Sequence, residues 1–399
     1  MKGFILFILL SSLVFGDQAS TRSLAKIRLG MEKLVREERM AGATVLALKD
    51  GGIFYQSQVG FRDRDGDRVM EKGTIFRIYS MTKALTSVLA LQLVEEGRLG
   101  LDETVGAYLP AFRNQKVWTE SGLVPVKREA TIRDLLRHTA GLGPGPEGTE
   151  LARRYQGILN QRKGLSLSEL VSQLGELPLL YQPGTRWVYG VSTDVLAAVV
   201  EKAAGEPFHD VMRKRLLSPL EMNDTGYSVP EEKRERLAGR YRREEGSLGV
   251  VDPAEGTCIL SDPIFKGGGS GLVSTEKDYM SFLQMIAGDG EYEGVRYLKR
   301  ESVDLMRTNQ LPKEIPAISF GDEKRHGTGF GLGFSVRISA DPRWDAQAPV
   351  GEYGWGGAAS THYWLSPRHG LIVLTMEQTF PYSWDMERLV KPLLYEAIE

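Results

Sequence analysis

Cysteine is nearly absent from this 399-residue chain: Cys258 stands alone, so no intrachain disulfide and no cysteine-based zinc cluster can form. Histidine is scarce too, five in all, and none falls in an HExxH or HxH arrangement of the kind that holds a catalytic zinc. Neither sign of charge dominates. Fifty Lys and Arg stand against 52 Asp and Glu, for a net charge of −2. No basic excess is left to neutralise a phosphate backbone, which disfavours nucleic acid as a partner. Hydrophobic residues make up 42% and charged residues 26%, ordinary proportions that exclude wholesale disorder, collagen-like repeats and a polytopic membrane protein. A Gly-x-Ser-x-Gly nucleophile elbow is missing, which argues against an α/β-hydrolase with a Ser-His-Asp triad. The glycine run 267–271 lacks a following Gly-Lys-Ser/Thr and so reads as close backbone packing, not a phosphate loop. No metal or organic cofactor is implied.

Long apolar runs are limited to the N-terminus. Met1-Lys2-Gly3 precedes a largely apolar stretch, Phe4 to Phe15, which ends at Gly16-Asp17-Gln18. A basic start, a short apolar run and a small residue fit a secretory signal peptide over residues 1–16, hence export to a periplasmic or extracellular space. The run is shorter than the roughly 20 residues a membrane-spanning helix needs, so no stable membrane insertion is expected once it is removed.

The remaining chain reads as β, then α, then β again. Ser23 to Glu38 carries apolar residues at helical spacing. Ala43 to Leu48 and Ile53 to Val59 flank Lys49-Asp50-Gly51-Gly52, a hairpin signal. Asp63 to Asp67 reads as a solvated turn, lacking the later glycine and glutamate of a calcium loop. From Lys83 to about Phe265 helical patterns dominate, and the mixed-sign stretch Glu231 to Glu245 reads as a solvated face. Phe330 to Ile338, Thr361 to Leu365 and Leu371 to Thr375 read as strands, and Asp385 to Ile398 as a closing helix. The expected fold class is α+β: an antiparallel sheet flanked by helices (residues 17–80 and 266–399) and a mostly helical lobe (81–265), with a site in the cleft between them.

Chemistry is concentrated at Ser80-Met81-Thr82-Lys83. Residues three apart share one face of a helix, so a lysine amine can reach the serine hydroxyl, and the helix dipole favours negative charge at its start. The spacing is cheap, since Ser23 to Lys26 and Ser274 to Lys277 also match. Context separates them. Ser23 and Ser274 read as openings of amphipathic helices with lysines on the wet face, and Thr275 with Asp278 as a capping pair. Ser80 instead precedes Ala84 to Val94, apolar nearly all round. Lys83 in its first turn is expected to be buried, and a buried amine is a readier base.

Four segments taken together resemble the serine β-lactamase-like family, more narrowly its class C branch and the related family VIII carboxylesterases. They are Phe76 to Lys83, Leu135 to Leu142, Tyr181 to Thr185 and Gly267 to Thr275, in order along a match from about residue 25 to the C-terminus. The resemblance implies the penicillin-binding-protein-like fold and a Ser-Lys-Tyr mechanism. The tyrosine falls at Tyr189, in Tyr189-Gly190-Val191, where the lactamases carry Tyr-x-Asn. Their Lys-Ser/Thr-Gly tripeptide occurs nowhere in this chain; Trp355-Gly356-Gly357-Ala358 stands in its place, similar to the family's esterases. By resemblance, the backbone N–H groups of Ser80 and Ala358 form the oxyanion hole, and Trp355, Gly356 and Gly357 contact substrate.

The two departures, Val191 and Trp355, remove groups that engage the carboxylate and amide of a β-lactam. Hydrolysis of small-molecule carboxylic esters is therefore expected over β-lactamase or D-amino-acid peptidase activity. A non-catalytic binding protein of the same fold is disfavoured by the joint presence of Ser80, Lys83 and Tyr189. His138, on an apolar helical segment, reads as structural, and His326 as a loop residue. Tyr353, Trp355, Tyr363 and Trp364 are read as core more readily than as pocket lining.

Overall fold

A computed structural model of the protein describes residues 10–253 and 258–399. Of the expected leader, residues 1–9 lie outside the described residues, and residues 10–16 begin helix α1 (Leu10–Arg36). The pattern over Ser23 to Glu38 is thus the later part of a longer helix, and Ser23 lies inside it rather than at its start. Among the described residues no helix is long and apolar enough to cross a membrane.

Eight strands form the main sheet. They are β1 (Gly42–Lys49), β2 (Gly52–Asp63), β3 (Arg68–Val69), β4 (Thr328–Phe330), β5 (Ser335–Arg337), β6 (Tyr353–Gly357), β7 (Thr361–Ser366) and β8 (Leu371–Met376). Their spatial order is β4-β5-β6-β7-β8-β1-β2-β3, antiparallel throughout. The β1–β2 hairpin closes through Asp50 and Gly51, with φ of 50° and 82°, the doubly positive turn whose twist matches a strand pair. Alternation along β1 sends Val45 and Ala47 against α1 and the C-terminal helix α5 (Asp385–Ile398). Leu46 and Leu48 point into the larger core shared with the helical lobe. Both faces of β1 are therefore buried, and its apolar run is continuous.

One expected strand is two. Residues 330–338 divide into β4 and β5, which pair with each other around a turn at 331–334. Glycine permits the break and packing demands it. A Cβ on Gly331 would sit 1.9 Å from the Met306 carbonyl oxygen, and Gly333 has φ 116° with the Ser87 hydroxyl 2.6 Å from its would-be Cβ.

The middle of the chain is helical but less purely than its sequence suggests. Helices α2 (Thr82–Glu95) and α3 (Ser192–Ala204) pack against each other at its centre, and α4 (Glu276–Ala287) follows it. A small hairpin, Lys116–Thr119 with Gly122–Pro125, interrupts the helices. A second pair, Arg240–Glu244 with Ser247–Asp252, is joined in parallel by Thr379–Phe380. That pairing corrects the reading of Glu231 to Glu245 as a solvated face: Tyr241 within it is buried. Ser274 is a strand residue paired with Phe76, and Thr275 caps α4 by accepting from the Asp278 N–H at 3.2 Å.

Candidate active site

Ser80 sits in a single 3-10 turn, Tyr79–Met81, that leads straight into α2. Its predecessor Tyr79 adopts φ 46°, a left-handed conformation that costs a non-glycine residue energy. The Tyr79 side chain is held in place from outside: its hydroxyl accepts from Arg240 at 3.0 Å, and its ring meets Phe380 edge-on at 5.7 Å. The strand pair that the sequence pattern hid is therefore what braces the turn bearing Ser80.

Lys83 lies one helical turn on and is 7% exposed. Its amino group donates to Ser80 Oγ at 3.2 Å and to the Gly269 carbonyl at 2.6 Å. That carbonyl belongs to the glycine run 267–271, which packs on α3 so closely that a Cβ on Gly268 would sit 2.6 Å from the Thr193 carbonyl oxygen. The run is close backbone packing, and its work is to present an acceptor to Lys83. Asp194, on α3, accepts from the Gly269 N–H at 2.8 Å. Burial pushes the Asp194 carboxyl up, against the opposing pull of Lys83 and the Gly269 N–H. Sequence reading missed Asp194. Its only local signal is an acid in the first turn of an apolar helix, which looks like ordinary dipole pairing.

Tyr189 arrives just ahead of α3. Its ring centroid stands 4.8 Å from Lys83 Nζ, and its hydroxyl accepts from the indole N–H of Trp355 at 3.2 Å. Trp355, read as a core aromatic and by resemblance as a substrate contact, is half-buried on the cavity wall and is the hydrogen-bond partner of Tyr189. Around this pair stands an aromatic wall. Phe320 and Trp187 lie 5.3 and 5.7 Å from the Tyr189 ring, and His138 lies 5.0 Å away. Burial, helped by the Lys83 charge, pushes His138 down to about 3, so it stays neutral and packs as the structural residue expected.

Strand β6 forms the far side. A Cβ on Gly357 would lie 2.5 Å from the Ile78 carbonyl oxygen, so only glycine lets β6 approach the Ser80 turn this closely. Ala358 follows at the exposed end of the strand. Ser80, Tyr189, Trp355, Gly356, Gly357 and Ala358 all line one cavity of about 580 Å³. Tyr353, Tyr363 and Trp364 are 2–3% exposed, core residues as read, yet they also border this cavity. The competing Ser-Lys pairs lie elsewhere: Lys26 is exposed beside Glu396, and Lys277 is exposed on α4. His326 lies in a loop, where its carbonyl accepts from Arg337 at 2.8 Å. Among the described residues no group of three or more His, Cys, Asp or Glu is placed to hold a metal ion.

This arrangement is a buried amine beside a hydroxyl on a strained turn, opposite a glycine-bearing edge strand. It can deprotonate the hydroxyl and receive a planar acyl group against the strand. Comparisons with known proteins give the family. The Beta-lactamase family model matches residues 27–391. Protein Rv1367c of Mycobacterium tuberculosis is 33% identical over 375 residues, covering 92% of this chain and 90% of its own. Esterase EstB of Burkholderia gladioli is 29% identical, covering 89% and 90%. Among solved structures, EstCE1, described as a hydrolase with promiscuous acyltransferase activity, superposes with a TM-score of 0.80. It is 25% identical, and the match covers 96% of this chain and all of EstCE1. The chain belongs to the Beta-lactamase family and is a serine hydrolase of that fold.

Proposed function

We propose that the protein is a carboxylesterase acting on small-molecule esters through an acyl-serine intermediate at Ser80. The observation that carries this reading is the Lys83 amine 3.2 Å from Ser80 Oγ, within reach for proton transfer. Ser80 Oγ attacks the ester carbonyl as Lys83 in its neutral amine form, with Tyr189 beside it, takes up the hydroxyl proton. The carbonyl oxygen collects negative charge and is met by the backbone N–H groups of Ser80 and Ala358. Tyr189 gives its proton to the leaving alcohol and regains one from Lys83, while the Trp355 indole N–H donates to its oxygen. Water then repeats the sequence and releases the acid.

Esters are favoured over β-lactams because Trp355, an uncharged aromatic, occupies the place of the lactam-engaging lysine, and Val191 replaces the amide-binding asparagine. Comparing kcat/KM for a short-chain nitrophenyl ester and a chromogenic cephalosporin tests this directly. Esterase turnover far above cephalosporin turnover is expected; the reverse order overturns the assignment. Transfer of the acyl group to an alcohol in place of water is a second reading, supported by the acyltransferase activity named for EstCE1. Export through the leader at residues 1–16 is part of the same proposal, and a mature protein beginning at Met1 would contradict it.

A further inference from the structure

Past Trp355 the cavity that opens at Ser80 does not end in an apolar wall. It continues beside Arg325, Trp344, Tyr382, Trp384 and His362. The Arg325 guanidinium carbon lies 4.3 Å from the ring centroid of Phe320, 4.9 Å from Trp384 and 5.0 Å from Trp344. Its side chain is 12% exposed, yet its one carboxylate contact uses Nε alone, to Glu323 at 3.4 Å. Glu323 is itself half exposed, so that pair is weak. Among the described residues no acceptor meets either Nη group. A planar guanidinium fork held among rings, with its two outer nitrogens unengaged, is matched to a carboxylate.

A second polar group faces the same space. His362 is 1% exposed, and neither of its ring nitrogens has a partner. Its ring lies 5.0 Å from Tyr382 and 5.1 Å from Trp384. The acids around it are already engaged: Asp345, Glu352 and Glu387 close on the buried Lys391 ammonium at 2.6, 2.7 and 2.6 Å. Arg325 also holds the Glu387 carboxyl down through space, yet among the described residues no carboxylate oxygen bonds its outer nitrogens.

We infer that Arg325, with His362 beside it, binds a carboxylate at the distal end of the acyl group, so that the preferred substrates are esters whose acyl part carries a carboxylate beyond a short apolar spacer. A half-ester of a dicarboxylic acid has this form. The inference rests on the Ser80 esterase reading. The spacer runs past Tyr189, Trp355 and Phe320, rings suited to methylene groups.

The test compares kcat/KM for two nitrophenyl esters of matched acyl length, a half-ester of a dicarboxylic acid and a neutral alkanoate. Both are measured on the wild type, Arg325→Gln and Arg325→Lys. The wild type is expected to favour the carboxylate ester by about tenfold or more, the weight of one charge-assisted hydrogen-bonded pair. The preference disappears in Arg325→Gln and survives in part in Arg325→Lys. Taking the ratio cancels any loss of folded enzyme, because both esters meet the same sites. The same ratio in wild type and Arg325→Gln overturns the inference. Competition in the wild type reads the contact with no variant: a free dicarboxylate should inhibit neutral-ester hydrolysis at least about tenfold more strongly than its dimethyl ester, and equal inhibition overturns it. A wild type that hydrolyses neither ester defeats the esterase reading itself. One that hydrolyses both with equal kcat/KM defeats only the Arg325 assignment.

Discussion

At the scale of single residues, each contact at the site assigns a different weight. Lys83→Ala removes the amine at Ser80 Oγ and is expected to lower kcat by at least about a hundredfold, the usual minimum for general base catalysis. Trp355→Phe keeps an aromatic ring but deletes the N–H that reaches Tyr189. One net hydrogen bond is worth about 0.5–1.5 kcal/mol, so kcat should fall by roughly two- to tenfold. An unchanged kcat would mean that Trp355 serves substrate packing alone. Asp194→Ala leaves the Gly269 N–H unpaired in the interior, and the loss should appear in denaturant titration as about 1–3 kcal/mol. It should also slow turnover, because the Gly269 carbonyl that Lys83 leans on is no longer fixed. Ser80 and Lys83 stand out in the sequence through a three-residue spacing and an apolar helix, whereas Tyr189 is singled out only by the family resemblance. Asp194 and Arg325 do not stand out. Their roles exist only after the glycine run folds onto α3 and the segment around Phe320 folds against the C-terminal aromatics.

Among elements, the contact between β6 and the Ser80 turn carries the most consequence. Gly357→Ala places a methyl where the Ile78 carbonyl oxygen would be 2.5 Å away. The strand or the turn must shift, at a cost of about 1–3 kcal/mol in stability. Displacing an N–H group of the oxyanion hole costs about a hundredfold or more in kcat. A Gly357→Ala protein with full turnover would show that β6 does not hold the acyl oxygen. The same scale explains what the sequence concealed. The β1–β2 hairpin was legible because Asp50-Gly51 states its turn geometry locally. The break between β4 and β5 was not, because what forbids a side chain there is the Met306 carbonyl and the Ser87 hydroxyl, both distant in sequence. Arg240–Glu244 was hidden for the opposite reason: a charged strand looks like solvated surface until Tyr241 is seen buried and Thr379–Phe380 is seen alongside.

For the whole molecule, buried ionisable groups set the response to acid. Burial lowers His138 to about 3 and His362 to about 4, whereas unfolded histidine titrates near 6.5. Below that pH the unfolded chain takes up protons that the folded chain refuses, so stability falls as pH drops from about 6.5 toward 4. Glu352, raised by burial to about 7, opposes this between about 4.5 and 7, because there the folded state holds the extra proton. Burial raises Glu377 as well, so the histidine contribution is read at one residue: His138→Gln should lose less Tm than the wild type between pH 6.5 and 4.5, and an identical change in both would contradict the assignment. Function at this scale turns on Ser80 at the junction of sheet and helical lobe. The most direct measurement is hydrolysis of a short-chain nitrophenyl ester by the wild type and by Ser80→Ala, side by side. Turnover by the wild type that vanishes in the variant is the expected result; equal turnover by both would place the chemistry somewhere other than Ser80.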